Sequence, residues 1–274
     1  MRALSAVVAG AGAPALGAVP MERNARHRGL PIRVGVAFAA SELDGDAVER
    51  LLPVAAQLEA HGADGLWLGV GASPARPASA AALALVRHTR RIPLHVGVAP
   101  AGARAAGREL AEVAGPDGAR LDRVLVMSDE DAGVEAWSTE ATTDVGGWFA
   151  GGPGAAQAAG SMGRGWLATG LDPQGVVRAV QSAQDAAASA GHELSAAGTG
   201  VLLGSGLRSG DLLDGEPGAT NATSLRVLVE RHIAVGVSYV VLRPATSELQ
   251  RWVDEVCAPL IHEIAEEGHA PCGC

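Results

Sequence analysis

Aromatic rings are scarce in this chain. Its 274 residues hold five Trp, two Phe and one Tyr, 3% in all. Apolar residues still make up 48%, so the composition is globular and the core must be built from Val, Leu, Ile and Ala. Basic charge is also in deficit. The 21 basic residues face 30 acidic ones, a formal charge of −9. Such a chain repels phosphate backbones, and no basic run is interleaved with aromatics, which argues against nucleic-acid binding. An anionic membrane surface is equally unsupported. No stretch reaches the ~20 strongly apolar residues of a membrane helix. There are three cysteines, Cys257, Cys272 and Cys274. An odd number with two at the chain end is no disulfide framework and points to a reducing cytoplasm.

The first 30 residues read as a flexible leader rich in Ala, Gly and Val. Within it, Val7 to Gly17 (V-V-A-G-A-G-A-P-A-L-G) imitates a dinucleotide-binding turn. That motif needs a strand before it and a helix after it, and Pro14 falls where the helix would run. From residue 31 to 267 the order becomes regular, with apolar runs alternating with helical stripes. This pattern predicts an α/β fold of parallel strands and crossover helices in one domain. The predicted strands are Ile32–Phe38, Gly65–Val70, Leu94–Ala99, Arg123–Met127, Gly147–Ala150, Gly165–Thr169, Gly198–Leu203 and Ser238–Leu242. Eight such units in ~240 residues match a (β/α)8 TIM barrel. An open doubly wound sheet, the other candidate, would leave the last two units unexplained. Residues 268–274 form a short tail.

The helical stripes are legible. Val48, Leu51, Leu52, Ala55 and Leu58 share one face, with Asp44 or Asp46 as N-cap. Asp172–Pro173 forms a cap and first-turn pair opening a helix with Val176, Val180, Ala183 and Ala187 inward. Leu225, Leu228 and His232 or Ile233 line another. Leu249, Trp252, Val253, Val256, Leu260 and Ile264 form the last.

Three segments resemble the bacterial-luciferase-like, flavin-dependent oxidoreductases and monooxygenases. Ala82–Val98 (A-L-A-L-V-R-H-T-R-R-I-P-L-H-V-G-V) is similar to that family's second helix and third strand. Trp148–Leu167 (W-F-A-G-G-P-G-A-A-Q-A-A-G-S-M-G-R-G-W-L) resembles its Gly-Gly turn, short helix and next strand. Ala234–Pro244 (A-V-G-V-S-Y-V-V-L-R-P) and the helix after it resemble its final unit. The resemblance implies a cofactor, FMN or the deazaflavin coenzyme, at the C-terminal ends of the strands. The contacts it implies are Gly151 and Gly152 at the phosphate, Val98 and Ala99 behind the ring beside a backbone bulge, with Ser128 and Trp166 completing the set. The chain departs from the family after the second strand. There Gly69–Ser73 replaces a polar Glu-His pair, and the usual long insertion is absent. A silent barrel that binds flavin or a partner subunit is therefore the alternative, and a homo- or heterodimer is expected either way.

Other chemistry-bearing residues are candidates from their positions. His95 lies within the third strand, either facing a ligand or structural. Asp129 and Glu130, with Asp131, follow the fourth strand, where barrel carboxylates serve as bases. Ser205, Arg208 and Ser209 follow the seventh, a usual phosphate position. Trp148 and Trp166 either pack on the flavin or belong to the core. His269, Cys272 and Cys274 offer soft metal ligands or a thiol pair, though a closed zinc site wants four ligands.

Overall fold

Strand residues in this protein alternate between two cores, one inside a barrel and one outside it. The computed structural model describes residues 32–39, 43, 46–70, 77–99, 120–127, 147–192, 198–206, 218–245 and 247–268. The strands are β1 (Arg33–Phe38), β2 (Gly65–Leu68), β3 (Leu94–Val98), β4 (Leu121–Val126), β5 (Trp148–Gly151), β6 (Gly165–Ala168), β7 (Thr199–Ser205), β8 (Gly218–Ala219) and β9 (Tyr239–Pro244). Every pairing is parallel. β1 to β6 pair in order, β9 bridges β1 and β7, and β6 pairs with β7, so eight strands close into a TIM barrel. All eight predicted strands are present within two residues of their expected ends. β8 was not expected. It is a two-residue strand laid beside Gly204 and Ser205 at the end of β7.

The helices are α1 (Asp46–His61), α2 (Pro77–His88), α3 (Pro153–Ser161), α4 (Pro173–Ala190), α5 (Ala222–Ala234), α6 (Leu249–Trp252) and α7 (Ala258–Gly268). A π-helical stretch, Val253–Cys257, joins the last two. No described helix is long and apolar enough to cross a membrane. The stripes pack as periodicity requires: Leu51, Ala55 and Leu58 of α1, Val176 and Ala183 of α4, and Trp252, Val256 and Leu260 at the end are fully buried against the strands. Asp172 caps α4 by accepting from the Gly175 N–H at 2.7 Å. Asn221 caps α5 in the same way, from Ser224 at 2.8 Å.

Two charged side chains tie the bottom of the barrel together. Glu59 of α1 accepts from the backbone N–H groups of Arg90, Arg91 and Ile92, the turn entering β3. Arg120 donates to the Val86 and Thr89 carbonyls, the orphan acceptors at the end of α2.

The inner core is aromatic at its N-terminal end. Trp67, Trp148, Tyr239 and His95 meet there, and Gly35, Gly65 and Gly165 on neighbouring strands make room for them. A Cβ on Gly35 would lie 2.8 Å from Trp67 Nε1 and one on Gly165 2.8 Å from Trp148 Cδ2, while one on Gly200 would crowd Leu167 Cδ1 at 3.0 Å. A Cβ on Gly65 would overlap the Tyr239 hydroxyl. The Trp67 ring stacks on His95 with centroids 4.1 Å apart, and Trp148 and Tyr239 stand edge-on to Trp67 at 5.2 and 5.4 Å. Arg33 closes the end, its guanidinium 4.6 Å from the Tyr239 ring centroid.

Candidate functional site

The C-terminal end of β5 turns sharply into α3. Gly151 has φ +150°, a region that L side chains rarely adopt. A Cβ there would lie 2.8 Å from the Met127 carbonyl oxygen. The Gly151 carbonyl accepts two hydrogen bonds, from Trp166 Nε1 at 3.1 Å and from the Thr169 N–H at 3.3 Å. Gly152 follows in extended conformation as the N-cap of α3, with Pro153 in the first turn. Unlike α4 and α5, this helix receives no hydrogen bond from a capping side chain. The result is a rigid turn presenting a helix N-terminus at the mouth of the barrel, a combination suited to an anion.

Among the described residues, the inner wall leading to the mouth is largely apolar. Ala37, Val70, Val126, Ala150, Leu167, Leu202 and Val241 form the inner wall above the rings. Ala99 and Gly97 continue it on β3, since His95, Gly97 and Ala99 share one face by alternation. A surface groove of about 630 Å³ runs between α1 and α6, bordered by Arg50, Val54, Glu248 and Arg251.

The candidates from sequence divide accordingly. Gly151, Gly152 and Ala99 stand at the C-terminal rim. Val98 does not face the lumen: its side chain belongs to the outer core, with Leu94 and Val96. Trp166 is also in the outer core, 1% exposed, and reaches the turn only through its indole N–H. The expected bulge after β3 is not marked by a cis peptide or by a positive φ at a non-glycine residue among the described residues. Trp148 lies in the N-terminal ring cluster.

His95 is at the other end of the barrel. It is the second residue of β3, level with Trp67 and Asp122, and three residues below Val98, roughly 10 Å at the usual strand rise. Its Nδ1 is 3.5 Å from Asp122 Oδ2 without forming a hydrogen bond. Burial holds the neighbouring Tyr239 hydroxyl protonated well above its ordinary range, although the Trp67 N–H donates to it at 3.3 Å. Ser205 is fully buried and its hydroxyl accepts from Trp252 Nε1 at 2.9 Å. It therefore faces the C-terminal helix and not a phosphate. Ser128, Asp129, Glu130 and Asp131 lie outside the described residues, as do Arg208, Ser209, His269, Cys272 and Cys274.

No family model and no curated protein matches the sequence. Solved structures do match. An F420-dependent secondary alcohol dehydrogenase, in complex with an F420-acetone adduct, superposes with a TM-score of 0.67 over 85% of this chain and 99% of its own, at 14% identity. The fold is the luciferase-like barrel. A monooxygenase from Streptomyces bottropensis shares this barrel with a TM-score of 0.62, over 87% of this chain and 100% of its own, also at 14% identity. A riboflavin lyase, with modified FMN and its substrate riboflavin, shares it at 0.61, 88% and 93% coverage and 11% identity. The barrel fold of these proteins thus recurs here at 11–14% sequence identity.

Two signals for this arrangement lie in the sequence itself. Alternation along Y-V-V-L-R-P puts Tyr239, Val241 and Arg243 on one face. The glycines at 35, 65 and 165 stand at inward strand positions, the places where large rings from neighbouring strands need room.

Proposed function

We propose that this chain is an oxidoreductase using FMN or the deazaflavin coenzyme F420, acting on a small molecule by hydride transfer or monooxygenation. One observation carries the reading: the Gly151–Gly152 turn opens α3 at the C-terminal mouth of the barrel with no side chain capping it. A cofactor phosphate there would gain the N–H groups of the first helical turn and the favourable end of the helix dipole. Gly152 adds no side chain that would hold the phosphate away. The largely apolar wall suits a flat ring, with Ala99 at its back. These residues fit the group, and two of the neighbouring structures hold cofactors of this class, an F420 adduct and modified FMN.

When bound, such a cofactor supplies hydride transfer or oxygen chemistry. The protein's part is phosphate capture, ring orientation and exclusion of water. A cytoplasmic location belongs to the same proposal and agrees with Cys257, a buried free thiol.

The test is a titration with FMN and with F420, followed by fluorescence and thermal shift. Saturable low-micromolar binding of one of them, abolished in Gly152→Asp, supports the reading. Binding of neither removes it.

A second reading is favoured by the apolar upper wall, where the described residues supply no acid–base pair. The barrel would then be a cofactor-binding or partner subunit without turnover, in a homo- or heterodimer. Tight cofactor binding with no oxidation of the reduced form by oxygen or by a substrate panel would favour it.

A further inference from the structure

The seam between α1 and the C-terminal helical segment ends in two histidines. Gln57 and His61 of α1 are one helical turn apart and share a face. Gln57 donates to Asp254 at 2.6 Å and accepts from Gln250, so one α1 side chain grips the C-terminal segment at two points. Farther along, His61 meets His262 of α7, with ring centroids 5.5 Å apart and planes tilted by 59°. The rings therefore touch without stacking. His61 is half-buried and His262 is exposed. Neither imidazole has a hydrogen bond or an ion pair to another described residue.

A neutral imidazole offers one nitrogen lone pair to a metal, and zinc, copper and nickel suit it. Two imidazoles on one tetrahedral zinc ion, at ~2.0–2.1 Å per bond, stand with centroids about 5 Å apart. The pair in this protein is already near that separation, and the exposed ring can turn a nitrogen toward a shared ion. The Gln57 contacts hold the two helices in place, so the ligands are brought together before an ion arrives. A formal charge of −9 also favours cations at the surface. Among the described residues, no group of three or more His, Cys, Asp or Glu side chains is placed to hold an ion, so water fills the remaining positions. We propose that His61 and His262 chelate a divalent transition ion of the zinc class, which clamps the C-terminal helix to α1.

The test titrates zinc chloride into the untagged full chain, with magnesium chloride for comparison, by calorimetry and thermal shift. Zinc should bind at this site with a dissociation constant in the micromolar range, weaker than a closed four-ligand site. It should raise the melting temperature, because it binds the folded state. Magnesium, a hard ion that prefers oxygen ligands, should do neither. His61→Ala and His262→Ala should each weaken this binding at least about tenfold, with the metal-free melting temperature unchanged. His61→Gln and His262→Gln, polar and of similar length, should act alike and are read alongside in case an alanine unsettles the seam. The combined variant His269→Ala, Cys272→Ser and Cys274→Ser should keep the site.

Absence of zinc binding in the wild-type protein overturns the inference. So does affinity that is unchanged in the His61 and His262 variants, or weakened in only one of the two positions, since a chelate needs both. Binding that vanishes with the three tail substitutions overturns it as well, and would assign the ion to the chain end.

Discussion

The indole N–H of Trp166 donates to the carbonyl of Gly151 at 3.1 Å, tying the outer core to the turn that opens α3. Because Trp166 is buried, that bond is shielded from water and helps hold the positive φ of Gly151. Trp166→Phe would remove the donor and, because phenyl is smaller than indole, part of the buried ring volume. It should cost about 2 kcal/mol of stability, the hydrogen bond plus a small cavity. It should also weaken cofactor binding several-fold, because the turn is less rigid. Denaturant unfolding and an FMN or F420 titration measure the two. Unchanged stability and unchanged affinity together would show that the turn holds itself.

His95 stacks on Trp67 at the N-terminal end of the barrel, and catalysis in this architecture occurs at the C-terminal face. His95→Leu should therefore lower thermal stability by about 1–2 kcal/mol through lost stacking, with cofactor affinity unaltered. A variant that folds with wild-type stability but no longer turns over would restore His95 as a catalytic residue. Trp67→Ala should be far worse, about 3–5 kcal/mol, since it empties the centre of the ring cluster.

Glu59 holds three backbone N–H groups of the turn into β3. Its partial burial works against ionisation, but the bonds from Arg91, Arg90 and Ile92 and the charge of Arg120 outweigh it, so the carboxyl titrates below its ordinary value. A lowered carboxylate pKa contributes stability above the unfolded value of about 4.3 and loses it as pH falls through the native value. Glu59→Gln should destabilise by about 1 kcal/mol at neutral pH, a modest figure because the site is partly solvated. The gap to wild type should close in acid. A constant gap from neutral to acid pH would assign the loss to geometry and not to charge.

His232 behaves in the opposite way. It is fully buried on α5, its Nδ1 is 2.9 Å from the Leu228 carbonyl, and its Nε2 has no hydrogen-bond partner. Burial lowers its pKa, despite nearby backbone carbonyls and Asp172. The unfolded chain then takes up the proton first, so stability is full above the unfolded value of about 6.5 and declines as pH falls below it. His232→Leu should flatten that part of the melting-temperature profile. A profile identical to wild type between neutral and mildly acidic pH would exclude His232 as its source.

The barrel was legible because parallel strands buried on both sides read as apolar runs, and because their spacing leaves room for one crossover helix each. Asp172–Pro173 announced α4 by local cap chemistry alone. The Gly-Gly turn was legible too, since a helix start that lacks a capping side chain is visible in four residues. β8 escaped notice because two residues, Gly218 and Ala219, carry no pattern of their own. They are a strand only because Gly204 and Ser205 lie beside them.

Within the site, the boundary follows range. The order of strands, the stripes and the turn depend on near neighbours in the chain, so the sequence by itself determined them. Which way a strand residue faces, and which end of the barrel it occupies, depends on register with distant strands. Only the tertiary structure could therefore turn Val98 and Trp166 outward and drop His95 among Trp67, Trp148 and Tyr239. Those four rings come from β2, β3, β5 and β9. Barrel closure brings them together from across the chain, which no local pattern can record.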